Sequence, residues 1–478
     1  MNTNENLWIL TEERPKVSVI KKIVELFSED FSYRLNYKNN NLTIKPIVKN
    51  GKFNFIYEVQ NIEVSYIKKI YIKTVSGNSS FFDFLIFKQE NQPVEGNFSE
   101  EPIMAIEETK TGDDESRNTG VYQRGSKFVF IDSYYPNVKK YMLYNDEHFR
   151  DDLRKPSDTS IFGTNLLLTL GVKIVGKDDS KWFKSFHSLD ELITQKNNMR
   201  KPPKGNVPIT ITKGINEIRI SGRLEKPIGY GNIAHDPNIG GLAMISKCIR
   251  KLGWTKTITI TSHGVSQNYI DRTQGNNKFL FICNKLNLQL EGIDMPLTVP
   301  LPEQYWHYDK SSEKVSSILL HMICSYSGMK CVYENHAGCE RGYFWNKNNE
   351  PMTLPKKNKN GTNLLLPDVV LYDEKDNSII LVEGKQLSTL NAGLKEINEY
   401  QSIENEYINP YYPNSKIYRF VSIFGGHVTK EDRKPTSIKV FNPKVLLFVN
   451  LEGKIYLNST APECVRNAFK LFGVAPEF

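Results

Sequence analysis

The segment LLLPDVVLYDEKDNSIILVEGKQ, residues 364–386, carries the residues of this chain best suited to chemistry. An apolar run holds Pro367 and Asp368, a polar turn spans Asp373 to Asn377, and a second apolar run ends at Glu383, Gly384 and Lys385. Alternate side chains of a strand share a face, so Glu383 and Lys385 point the same way. If the two runs pair as strands, Asp368 lies beside them. Two carboxylates so placed make a hard, all-oxygen site suited to Mg2+. Such an ion polarises a phosphodiester, lowers the pKa of a bound water and stabilises charge in an in-line displacement. Lys385 would then orient the attacking water, help deprotonate it, or offset phosphate charge. The competing reading is a surface hairpin with an exposed acid–lysine pair, a common structural feature. Against it, these charges terminate the strongly apolar strand IILV rather than decorate a polar one.

The same residue types recur near the N-terminus. FFDFLIFK, residues 81–88, places Asp83 within an apolar strand, and IMAIEETK, residues 103–110, ends in Glu107, Glu108, Thr109 and Lys110. Period two puts Glu108 and Lys110 on one face while Glu107 points away, unless a bulge intervenes. The expected second set is therefore Asp83, Glu108 and Lys110, with Asp83 and Glu108 as metal ligands. No proline precedes Asp83, and 25 positions separate it from Glu108, so Glu95 or Glu101 could substitute for it. The polar stretch that follows offers Arg117, Gln123 and Arg124 for phosphate and backbone contacts. An acidic loop beside a strand is the competing reading here.

The pattern Asp368, Glu383, Lys385 resembles the PD-(D/E)XK nuclease superfamily, to which most type II restriction endonucleases belong. The resemblance covers about residues 310–450 and implies that Asp368 and Glu383 are metal ligands and Lys385 the motif lysine. It further implies an additional acid from the preceding helix or loop, for which Glu340, Glu334 and Glu313 are candidates. The N-terminal set resembles the same superfamily. Two such sets in one chain resemble the layout of type IIS restriction endonucleases, in which one polypeptide holds a nuclease site for each DNA strand. The function so implied is Mg2+-dependent, sequence-specific cleavage of double-stranded DNA by a type II restriction endonuclease. A cognate DNA methyltransferase is then expected as a genetic neighbour rather than a bound subunit. The alternatives are one active site with the other set degenerate, or a DNA-binding protein without catalysis.

The elements that must position these residues follow from periodicity. Residues 17–28 have helical spacing of apolar side chains, and 53–59, 62–75, 81–88 and 102–110 read as strands. A polar helix is expected from Asp113 to Lys127, then a buried strand FVFID at 128–132. Residues 235–254 form a marked helix: Asp236 caps it, Pro237 sits in its first turn, an apolar stripe runs along one side and Gly253 ends it. Asn238, Lys247, Arg250 and Lys251 lie on this helix as candidate DNA contacts. Beyond a strand at 257–262, His263, Gln267, Asn268, Arg272, Gln274, Asn276 and Asn277 form a polar cluster. A helix at 311–327, strands at 364–372 and 378–385, a polar helix at 391–407 and strands near 416–424 and 444–449 complete the chain. The expected fold is α/β (α+β): two restriction-endonuclease-like cores of mixed sheet flanked by helices, joined by a middle DNA-recognition region. The domains are expected at residues 1–150, 151–305 and 306–478.

Composition narrows the alternatives. Hydrophobic content of 39 % with 24 % charge describes a folded globular chain, and the net charge of +8 favours an anionic partner only weakly. The six cysteines form no C-x-x-C pair, so zinc ligation is disfavoured and reduced thiols are expected. No apolar run is long enough for a membrane span, and the N-terminal residues lack the basic-then-apolar order of a signal peptide, so a cytoplasmic location is expected. No phosphate-cradling G-x-x-x-x-G-K-[ST] is present, which argues against an ATP-driven translocating enzyme.

Overall fold

The computed structural model describes residues 5–38, 42–77, 82–97, 99–109, 120–144, 157–176, 181–199, 209–223, 236–273, 278–296, 306–307, 312–336, 343–355, 357–425 and 442–477. The fold is mixed α/β, with several sheets and flanking helices. Among the described residues no helix is long and apolar enough to cross a membrane. The chain divides into two units rather than the three expected from composition. One joins Met1–Ser76, Gln89–Gln92 and Tyr308–Phe478; the other comprises Gly77–Lys88 and Pro93–His307. The N-terminal segment belongs with the C-terminal half for a physical reason. The Arg14 guanidinium forks onto Glu334, and the backbone N–H of Phe53 donates to the Gly453 carbonyl.

In the unit that holds the C-terminal half, six strands lie in the order Lys330–Glu334, Val369–Asp373, Ser378–Gln386, Lys416–Phe424, Val445–Val449 and Ile455–Leu457. Val369–Asp373 and Ser378–Gln386 form an antiparallel hairpin whose turn closes with Asn377 in the left-handed region, φ 51°. Asparagine tolerates that conformation, which accounts for the reversal after a run of apolar residues. Ser378–Gln386 then pairs in parallel with Lys416–Phe424, and that strand in parallel with Val445–Val449. Central placement explains why Ser378 to Gly384 are all buried, and why this strand reads as a continuous apolar run. The helix Lys314–Tyr326 packs on these strands with Val315 to Cys324 buried.

The second unit contains the strands Phe84–Gln89, Met104–Thr109, Lys139–Tyr144 and Val172–Val175 in that order. The first pair is antiparallel and the next two pairs are parallel. A second sheet orders Thr210–Lys213, Glu217–Ser221, Thr257–Thr261 and Leu288–Leu290. The expected strand at 128–132 is instead the end of a helix, Gly120–Ile131. Phe128, Val129, Phe130 and Ile131 are each about 1 % exposed, and a short apolar run buried on every side carries no period that separates helix from strand.

The helix Asp236–Lys251 packs its apolar side into the core of its unit. Ile239 and Leu242 to Ile245 are buried, and a Cβ on Gly240 would stand 1.7 Å from the Tyr122 carbonyl oxygen, so the two backbones touch. Of the four candidate DNA contacts on it, Arg250 donates to the carbonyls of Leu286, Trp254, Lys256 and Asn287, tying the helix end to its neighbours. Lys247 lies 3.7 Å from the Asp132 carboxylate, Asn238 is half-buried and engaged, and Lys251 is exposed. His263 serves the loop after Thr257–Thr261, contacting the Glu291 carbonyl at 2.9 Å and accepting the Val265 N–H at 2.9 Å.

Candidate metal centre

Asp368 precedes the first hairpin strand by one residue, and Val369 pairs with Val382, so Asp368 stands across from Glu383. Its Oδ2 accepts the backbone N–H of Gly384 at 2.7 Å, which fixes the carboxylate over the strand end. The Lys385 ammonium donates to Glu383 Oε1 at 2.7 Å and lies 2.9 Å from Glu396 Oε2. The Tyr400 hydroxyl donates to the other Glu383 oxygen. The sequence expectation for Asp368, Glu383 and Lys385 thus corresponds to side chains that meet at the end of a buried central strand.

Gly384 is required by close approach. A Cβ there would lie 2.7 Å from Asp368 Oδ2, and 2.9 Å from both the Glu313 carbonyl and Ser317 Oγ. The start of the helix Lys314–Tyr326 therefore presses on the site, and the Glu313 charge acts on Asp368. Of the two candidate extra acids among the described residues, Glu313 is the one whose backbone carbonyl and charge reach the centre. Glu334 is committed to Arg14 and Lys16, and Glu340 lies outside the described residues. Glu334 does gather His321 and His336, with possible ligand atoms within 4.8 Å of one another. Its carboxylate is already neutralised by the Arg14 fork, which makes that cluster a poor cation site.

Electrostatics fit a divalent ion. Burial, then the neighbouring Glu383 charge, raises the Asp368 carboxyl well above its usual range despite the Gly384 N–H and Lys385. Burial raises Glu383 as well, against its hydrogen bonds from Lys385 and Tyr400. Burial alone would lower the Lys385 ammonium, but Glu383 and Glu396 outweigh it and hold the amine above its ordinary value. Two facing carboxylates that one lysine leaves under-neutralised form a donor set a hard dication would complete. Glu396 and Tyr400 escaped the sequence reading because they lie on and beyond the helix Leu390–Glu396, 11 and 15 positions after Lys385.

At the N-terminal set the structure joins a different acid to Asp83. Phe84 pairs with Ile106, so Asp83 stands across from Glu107, not Glu108. Asp83 Oδ2 accepts the Glu108 backbone N–H at 2.6 Å, and the Asp83 N–H donates to Glu107 Oε1 at 3.2 Å. The Lys127 ammonium donates to Glu107 Oε1 at 2.8 Å, and Arg124 Nε is 3.9 Å from Glu107 Oε2. The expected facing of Glu108 rather than Glu107 is thereby reversed. Glu108 is buried at 4 % exposure, and its backbone N–H donates to Asp83. Gln123 is exposed, while Lys110 and Arg117 lie outside the described residues.

No protein-family model matches the chain, and no curated protein or solved structure matches it.

Proposed function

We propose that the chain is a Mg2+-dependent endonuclease of double-stranded DNA, of the type II restriction class, acting at Asp368, Glu383 and Lys385. The observation that supports this reading most directly is the register of the hairpin. It puts half-buried Asp368 across from buried Glu383, with the Lys385 ammonium 2.7 Å from Glu383, at the end of a central strand. In open α/β sheets, ligands gather at the carboxyl ends of the parallel strands, and Ser378–Gln386 ends there. A Mg2+ ion held by Asp368 and Glu383 would supply Lewis-acid polarisation and a more acidic water.

The chain's own residues do the positioning. Lys385 stays protonated, so it serves as a donor to a phosphate oxygen or to the attacking water rather than as the base. Tyr400 and Lys385 each hold one oxygen of Glu383 and fix its plane. The Gly384 N–H does the same for Asp368. In the hydrolysis, the water oxygen bonds to phosphorus as one bridging P–O bond breaks. One water proton ends on the leaving deoxyribose oxygen and the other passes to solvent.

The test is incubation of supercoiled plasmid with the purified chain in Mg2+ and in EDTA, alongside Glu383→Gln. Discrete metal-dependent fragments that the variant fails to make support the proposal. Intact plasmid that is merely retarded would favour a binding protein without catalysis. A cut unaffected by Glu383→Gln would remove the C-terminal centre from the reaction.

A further inference from the structure

We infer that Asp83, Glu107 and Lys127 form a second metal-binding nuclease centre, in which the lysine comes from the helix Gly120–Ile131 instead of the strand. The inference rests on the proposed function for the type of reaction, but its geometry stands alone.

The two places share a topology. Each has an antiparallel hairpin, then a helix, then a strand parallel to the hairpin's second strand, then another parallel to that. They share a register as well. In both, the residue after the aspartate (Val369, Phe84) pairs with the residue before the glutamate (Val382, Ile106). In both, the aspartate Oδ2 accepts the N–H of the residue after the glutamate, at 2.7 Å for Gly384 and 2.6 Å for Glu108. In both, a lysine ammonium donates to the glutamate Oε1, at 2.7 Å for Lys385 and 2.8 Å for Lys127.

One position differs. Counted from the glutamate, Thr109 falls where Lys385 stands, and Lys127 delivers the ammonium to the same oxygen from a different backbone. Charge placed in space, not its origin along the chain, determines what the group can do. Glu107 is 1 % exposed, and among the described residues its Oε2 accepts no hydrogen bond, with Arg124 Nε 3.9 Å away, whereas Tyr400 donates to the corresponding oxygen of Glu383. A buried carboxylate oxygen left open beside a second carboxylate is a ligand position for a hard cation. Burial and the Asp83 charge also raise the Glu107 carboxyl to about 8, against Lys127 and Arg124.

Two measurements on the full chain test this. The first is calorimetric titration with Mn2+ in the absence of DNA: two equivalents for the native chain, one for Glu107→Gln, one for Glu383→Gln and none for the double variant. One equivalent in the native chain, lost on Glu383→Gln and kept on Glu107→Gln, overturns the second site. The second follows supercoiled, nicked and linear plasmid in Mg2+. Glu107→Gln and Lys127→Met should each accumulate nicked circles, with the second cut slowed at least about a hundredfold. Glu383→Gln should nick the opposite strand. Nicking by Lys110→Met with native cutting by Lys127→Met would overturn the lysine assignment. Should Glu107→Gln fail to fold, Asp83→Asn takes its place, since Asp83 is only partly buried. An uncut plasmid with native chain would refute the nuclease reading, while the Mn2+ count would still decide the second site.

Discussion

Gly384→Ala isolates the geometry of the C-terminal centre because it changes no charge and removes no donor. Its added methyl would sit 2.7 Å from Asp368 Oδ2, whereas ordinary contact begins near 3.4 Å. The carboxylate must therefore retreat by about 0.7 Å, or the Glu313 carbonyl and Ser317 hydroxyl at 2.9 Å must give way. Either movement disturbs the 2.7 Å bond from the Gly384 N–H that aims Asp368. Overpacking of this kind costs about 1–3 kcal/mol, a loss the fold can absorb. A displacement approaching 1 Å in a reacting constellation costs about a hundredfold in rate. The expected result is a folded variant that cuts about ten- to a hundredfold more slowly and needs more Mg2+ for half-maximal rate. The assay is a Mg2+ titration of plasmid cleavage, paired with circular dichroism and Mn2+ calorimetry. A folded variant with native rate and native Mn2+ affinity would refute the placement of Asp368 in the centre.

Other perturbations follow from the same contacts. Glu383→Gln should lower the cleavage rate at its strand by about 10³-fold, equivalent to about 4 kcal/mol of barrier, with single-turnover kinetics as the check. Tyr400→Phe frees one Glu383 oxygen, so the Mn2+ dissociation constant should rise about ten- to a hundredfold, with the rate at saturating metal changed less. An unchanged metal affinity would make Tyr400 a packing residue. Asp368, Glu383 and Glu107 all hold their protons above the ordinary carboxylate range. Raised folded-state values add stability at low pH that is lost as pH climbs through them, for Glu107 up to about 8. Melting temperatures in EDTA should therefore fall as pH rises from about 4.5 toward about 8, and Mg2+ should restore most at the upper end. A melting curve in EDTA that rises across that window would contradict the linkage.

What the sequence determined by itself was local. Apolar runs of strand length around Asp373 to Asn377 could close only as a hairpin, and period two then put Glu383 and Lys385 on one face. The helix Asp236–Lys251 was equally legible from its stripe and its terminal Gly253. Tertiary structure decided the rest. Glu107 or Glu108 faces Asp83 according to strand register, and a slip of one residue reverses the choice, because neighbouring side chains point to opposite faces. The acid–x–lysine triplet at residues 108–110 points to Glu108, whereas pairing of Phe84 with Ile106 selects Glu107. Lys127, Glu396 and Tyr400 reach their carboxylates from other elements, so no local spacing announces them. The same holds for the charged face of Asp236–Lys251, where the polar side chains are readable but the backbone contact at Gly240 that buries the helix is not. Strand period is a property of the chain; which charges share one small buried volume depends on how distant segments pack.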